Sequence, residues 1–238
     1  MEPTSTEAER LAHDNDKHHG GASLSEVVLG GQDGLVNVLG LVLGLSMASD
    51  SSRLILAGGL SAALAESVSM AAVAYTSTLA KVAQYQAERE REHRHIRVAP
   101  TLERQEVRDL YAKKGFSGPL LDQVVETITA NPEVWVAVMM SEELGLAPVE
   151  RSDGVRAGMV VGLSSLAGSL LPLLPFLFLG PLRASITATV LGALLLFGLG
   201  VYKAKVTIGP PLRSGLELAA IGLLSSAVGL GVGFLFRA

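Results

Sequence analysis

Five stretches of this chain, residues 27–47, 54–80, 155–179, 184–202 and 214–236, each contain at most one charged residue. Each is close to the roughly 20 apolar residues that a helix needs to cross a bilayer. In lipid, the backbone polar groups of such a segment must be satisfied internally, which leaves helices and closed barrels. Uninterrupted runs of this length favour helices, so the reading is an all-α polytopic membrane protein with five transmembrane helices. Composition agrees: 18% of the 238 residues are charged, against about a quarter in soluble domains, and the mean hydropathy is +0.41.

The charge is concentrated between spans two and three. Residues 81–153 hold thirteen acidic and ten basic residues. The expected organisation is a polar N-terminal segment over 1–24 with His13, His18 and His19, transmembrane helices 1 and 2 over 25–80, a helical domain over 81–153, and transmembrane helices 3 to 5 over 154–238. A polar stretch ahead of the first apolar run does not resemble a secretory signal. Placing the N-terminus in the cytosol leaves Arg53, Arg183 and Arg237 outside and the other sixteen of nineteen Lys and Arg inside. The positive-inside rule favours that orientation and makes 81–153 cytosolic. Cysteine is absent, which excludes disulfides, thiolate ligands and cysteine nucleophiles.

Span two has no breaker after Tyr75, so its helix is expected to continue to about Ile96. Pro100-Thr101 starts a helix with Thr101 as N-cap, and Gly115 ends it. Ser117-Gly118-Pro119 and Asn131-Pro132-Glu133 open two more, the last capped by Gly145. Pro172 and Pro175 are expected to bend span three. No phosphate loop, catalytic triad or nucleic-acid motif is present, and nothing points to an organic cofactor.

Four acids lie within or beside the spans: Glu26, Asp33, Glu66 and Glu217. Intramembrane charges are costly and usually face a polar pathway. Glu26 and Glu217 lie near span ends, where water is in reach. Asp33 is deeper, with Asn37 one turn on. Glu66 sits mid-span with Met70 at i+4 on the same face, and a carboxylate with a thioether suits a transition metal better than Mg²⁺ or Ca²⁺. In the polar block, Glu88, Glu92 and His95 share a face, Glu103 and Glu106 lie at i and i+3, and Met139, Met140, Glu142 and Glu143 follow within two turns. Acids from separate helices build carboxylate metal sites in bundles. A run such as EREREHRH also fits a solvated, salt-bridged helix. Spacing leaves both readings open.

The stretches GGQDGLVNVLGLVLGLS, AALAESVSMAAVAY, KKGFSGPLLDQVVETITANPEVWVAVMMSEELG and SGLELAAIGLLSSAVG, in this order, resemble the vacuolar iron transporter family of five-span divalent-metal/proton exchangers. The resemblance implies a homodimer with a transport path between the protomers' first and second spans. It implies membrane metal ligands at Asp33, Glu66 and Met70, with Asn37 on the path. It implies a cytosolic metal-binding domain using Glu92, Glu103, Glu106, Met139, Met140 and Glu143. His95 stands where plant members more often carry an acid, and is counted among the ligands because imidazole also binds Fe²⁺. Ala137 stands where an acid is common, and Val36-Asn37 after Asp-Gly-Leu is similar to the bacterial-type branch.

The implied function is export of Fe²⁺, with Mn²⁺, Co²⁺ and Zn²⁺ as further candidates, from the cytosol against protons. The membrane is vacuolar in a eukaryote and the plasma membrane in a bacterium. A membrane-anchored iron buffer or sensor without transport is the alternative. A ferroxidase-like enzyme would need Glu-x-x-His motifs on two helices. Here Glu90/His93 and Glu92/His95 overlap on one helix and point to different faces, so the expectation is a transporter and not an enzyme.

Overall fold

The computed structural model describes residues 21–207 and 209–237. The histidines His13, His18 and His19 lie outside the described residues. Elements in chain order are α1 (Gly21–Ala48), α2 (Ser52–Val98), α3 (Pro100–Lys113), α4 (Gly118–Thr129), α5 (Pro132–Val138), a π turn (Met139–Glu143), α6 (Arg151–Leu170), a 3₁₀ turn (Leu171–Leu173), α7 (Leu174–Phe178), α8 (Pro181–Thr207) and α9 (Pro211–Leu235). Among the described residues there is no strand. Five helical stretches are long and apolar enough to cross a membrane: Leu24–Ala48, Ser52–Val98, Arg151–Phe178, Pro181–Thr207 and Pro211–Leu235.

Contacts divide the chain into two units: residues 1–74 with 157–238, and residues 75–156. In the first, Leu35, Val38, Leu39, Val42 and Leu43 of α1 are buried in one cluster with Ile55, Phe176, Ala184, Ala188, Leu196 and Leu218. Helix α1 is therefore the packing axis of this unit. Apolar burial gives helices little drive to associate in lipid, so close backbone approach has to supply it. A Cβ on Gly229 would land on the Gly40 carbonyl, and one on Gly233 on the Gly44 carbonyl. Bare glycines on both helices bring α1 and α9 together there. The Ser225 hydroxyl reinforces the seam by donating to the Val36 carbonyl at 2.9 Å. Prolines 172 and 175 interrupt span three as expected, with a 3₁₀ turn over Leu171–Leu173 before α7.

The second unit contains α3, α4, α5 and the π turn. Val107, Leu121, Val125, Ile128, Trp135 and Met139 form its buried core. Asn131 caps α5 by accepting the Glu133 N–H at 2.9 Å, as its sequence suggests. Gly115 and Gly145 adopt positive φ, +98° and +62°, which an L side chain rarely adopts. One local expectation is corrected. Thr101 is not the cap of α3: the cap lies two residues earlier, with Pro100 at the first position and Ala99 as an N-cap without a side-chain bond. Proline's fixed φ and missing N–H suit that first position better than a threonine cap one residue later. Helix α2 continues past Tyr75 to Val98, in line with the expected end near Ile96.

Candidate metal centres

The first site lies within the membrane-spanning unit. Asn37 on α1 donates its side-chain amide to Oε1 of Glu66 on α2, at 2.7 Å. Asp33, one turn before Asn37, is a second carboxyl neighbour of Glu66. Asp33, Glu66 and Met70 are half-buried, and Asn37 is exposed. Positions 33 and 37 share a face of α1, and 66 and 70 share a face of α2. Two acids and an amide thus meet where each helix is otherwise apolar, with Met70 one turn from Glu66. Carboxylate oxygens together with an amide oxygen suit hard divalent cations, and a thioether extends the set to softer ones. Glu26 is half-buried near the start of α1. Glu217, the remaining acid near a span end, accepts from Arg213 Nε at 2.9 Å.

The second site lies wholly within the 75–156 unit. Glu92 and His95 from the end of α2 and Glu103 from α3 each offer a ligand atom within 4.8 Å of the others. His95 Nδ1 is 3.4 Å from Glu103 Oε1 and 3.8 Å from Glu92 Oε1. These three and Glu106 and Glu143 line one cavity, with Glu88 and Arg91 beside them. Glu92 and Glu103 are 5% and 4% exposed, and one oxygen of each, Oε2, is buried without a hydrogen-bond partner. Buried carboxylate oxygens without a partner are expensive, and a bound cation would satisfy them.

Electrostatics point the same way. Burial pushes the Glu103 carboxyl up to about 7, with Glu106, Glu92 and Glu143 adding to the effect. Glu92 is raised by burial, against the opposing pull of His95, and Glu143 is raised by burial and by Glu106 and Glu92. Several acids that resist ionising together retain protons when no cation is bound, and a divalent cation would compete with those protons for the same oxygens.

Of the residues singled out in sequence, the structure gathers Glu92, His95, Glu103, Glu106 and Glu143. Met139 instead packs in the apolar core of the unit, and Met140 is buried outside the residues that line the cavity. Glu142 pairs with Lys114. Spacing missed Arg91, whose guanidinium holds Glu88 through bonds of 2.9 and 3.1 Å; the i,i+3 acid–base pair was its available signal. It also missed the π turn over Met139–Glu143, which ends at Glu143. No local residue type announces a π turn.

Fold and sites together define a polytopic helical membrane protein with two carboxylate-rich centres. The VIT family model matches residues 24–234, and the chain belongs to that family. It is 33% identical to "Vacuolar iron transporter 2" of Oryza sativa subsp. japonica, over 95% of this chain and 94% of that protein. It is 31% identical to "Vacuolar iron transporter 1" of Arabidopsis thaliana, over 91% and 88% of the two chains. A more distant relative, the "Vacuolar iron transporter" of Plasmodium berghei (strain Anka), is 27% identical over 94% and 85%.

Proposed function

We propose that the protein exports a divalent transition metal, Fe²⁺ first among the candidates, from the cytosol in exchange for protons. The observation that carries this is the Asp33–Glu66–Asn37 group at membrane depth. An anchor has no use for two acids inside its spans, whereas a carrier needs ligands that release protons when they take an ion. Relatives named vacuolar iron transporters support iron as the cargo. In this account Asp33, Glu66 and Met70 hold the ion in transit, with Asn37 orienting Glu66. Glu92, His95, Glu103, Glu106 and Glu143 collect it from the cytosol; Met139 and Met140 join them if the core opens around them.

Carboxylates suit the coupling because each can exchange a proton for a share of a metal ion, and burial keeps the two states close in energy. A homodimer completes the account. In one protomer Asn37 is exposed at a depth where lipid would otherwise meet a hydrogen-bonded polar pair. A second copy of α1 and α2 would cover it and double the ligand count. The N-terminus and residues 81–153 are placed in the cytosol on the distribution of Lys and Arg.

The test is flux into proteoliposomes with a proton-sensitive dye inside and an imposed pH gradient, using Fe²⁺, Mn²⁺, Co²⁺ and Zn²⁺ in turn. The exporter account expects metal entry accompanied by proton exit from the vesicle. Saturable binding without flux would instead establish the anchored buffer.

A further inference from the structure

Away from both carboxylate centres, the end of α8 and the start of α9 line an open cavity of about 330 Å³ whose walls include Lys203, Thr207, Arg213, Ser214 and Glu217. Its place in the fold is defined by the ends of two helices long enough to cross a membrane, which puts it at headgroup level. Arg213 donates its Nε to Glu217 at 2.9 Å, a contact that uses one of the five guanidinium N–H donors. Among the described residues Lys203 has no ion-pair partner, and it lines the same cavity. Thr207 and Ser214 add hydroxyls, although the Thr207 hydroxyl also donates to the Lys203 carbonyl at 2.8 Å. Helix α9 begins there without a side-chain cap, so its positive end adds to the attraction for an anion.

The flanks distinguish a lipid from a free oxyanion. Val206, Leu212 and Leu216 are 52%, 66% and 56% exposed, apolar side chains on the same two helices that line the cationic pocket. A headgroup phosphate can occupy the pocket while its acyl chains lie along these side chains. Basic pockets between spanning helices on the cytosolic side are suited to anionic headgroups, and the orientation proposed above puts this connection on that side.

We propose that Lys203 and Arg213 bind the phosphate of an anionic phospholipid at the cytosolic end of the α8–α9 pair. This assignment is independent of metal transport. Full-length protein, purified in detergent and offered equal dioleoyl phosphatidylglycerol and dioleoyl phosphatidylcholine, is examined by native mass spectrometry. The expectation is several-fold enrichment of phosphatidylglycerol, reduced about fivefold by Lys203→Gln and by Arg213→Gln, at about a factor of five per cation. Arg213→Lys keeps most of it, and Arg183→Gln at the opposite end of α8 leaves it unchanged. Thermal midpoints in phosphatidylcholine alone verify that each variant is folded. Equal retention of both lipids, or enrichment that survives Lys203→Gln and Arg213→Gln together, overturns the proposal. So does stabilisation by inorganic phosphate matching that by phosphatidylglycerol, which would identify a soluble oxyanion as the ligand.

Discussion

The Asn37 amide of one spanning helix is hydrogen-bonded at 2.7 Å to the Glu66 carboxylate of the next. An amide has both a donor and an acceptor, so Asn37 can fix Glu66 through its N–H and still present its oxygen to a cation. Asn37→Ala is therefore expected to lower metal uptake roughly tenfold, the scale of one hydrogen bond to a charged group. Uptake kinetics in proteoliposomes check this. A rise in KM at unchanged maximal rate would show that the amide acts in binding the metal, directly or through Glu66.

Glu103→Gln should separate binding from stability in the other centre. Its carboxyl is buried beside three other acids, so removing the charge relieves repulsion and raises the thermal midpoint of the metal-free protein. The same change removes a ligand atom and should weaken Co²⁺ binding by about tenfold or more. The chain has one tryptophan, Trp135, which lies in the core of the same unit, so fluorescence can follow both quantities.

The pH dependence follows from the same residue. A carboxyl whose folded pKa is raised to about 7 holds its proton in the folded protein after the unfolded chain has lost it. Its contribution to stability is complete below the unfolded value near 4.5 and is lost as pH rises through about 7. Metal-free protein is expected to unfold at lower temperature at pH 8 than at pH 5.5. Saturating Mn²⁺ should oppose that loss, because the ion neutralises the carboxylates once their protons have gone. Calorimetry in buffers of different ionisation enthalpy would show protons released on binding near pH 6.5 and fewer at pH 8.

Packing in the membrane unit has its own test. A side chain at Gly229 would meet the Gly40 backbone, which has no flexible end to move aside. Gly229→Leu is expected to separate α1 from α9 and to cost more than the 1–3 kcal/mol typical of overpacking. The readout is loss of monodisperse protein in size exclusion. Gly231→Ala, where a Cβ has open space, should behave as wild type.

Much of this was legible in the sequence because lipid makes strong demands. Five apolar runs could be counted, and Asp33 and Glu66 stood out as charges with no reason to be there. Pro100 and Asn131 marked helix starts, although the cap of the first is Ala99 and not Thr101, because proline takes the first helical position. What spacing could not show was partnership between elements. It placed Asn37 near Asp33 on one helix and could not say that its amide reaches across to Glu66. It grouped Met139 with the acids of its own helix and could not show that this side chain packs in an apolar core with Val107 and Trp135.

The central claim is that Asp33 is a ligand for the ion in transit. Uptake of Fe²⁺ by proteoliposomes under an imposed pH gradient tests it most directly, comparing wild type with Asp33→Ala at matched protein incorporation and oligomeric state. The account predicts that the variant loses uptake and its proton counterflow while still binding metal at Glu92, His95 and Glu103. Uptake by the variant at the wild-type rate would contradict it.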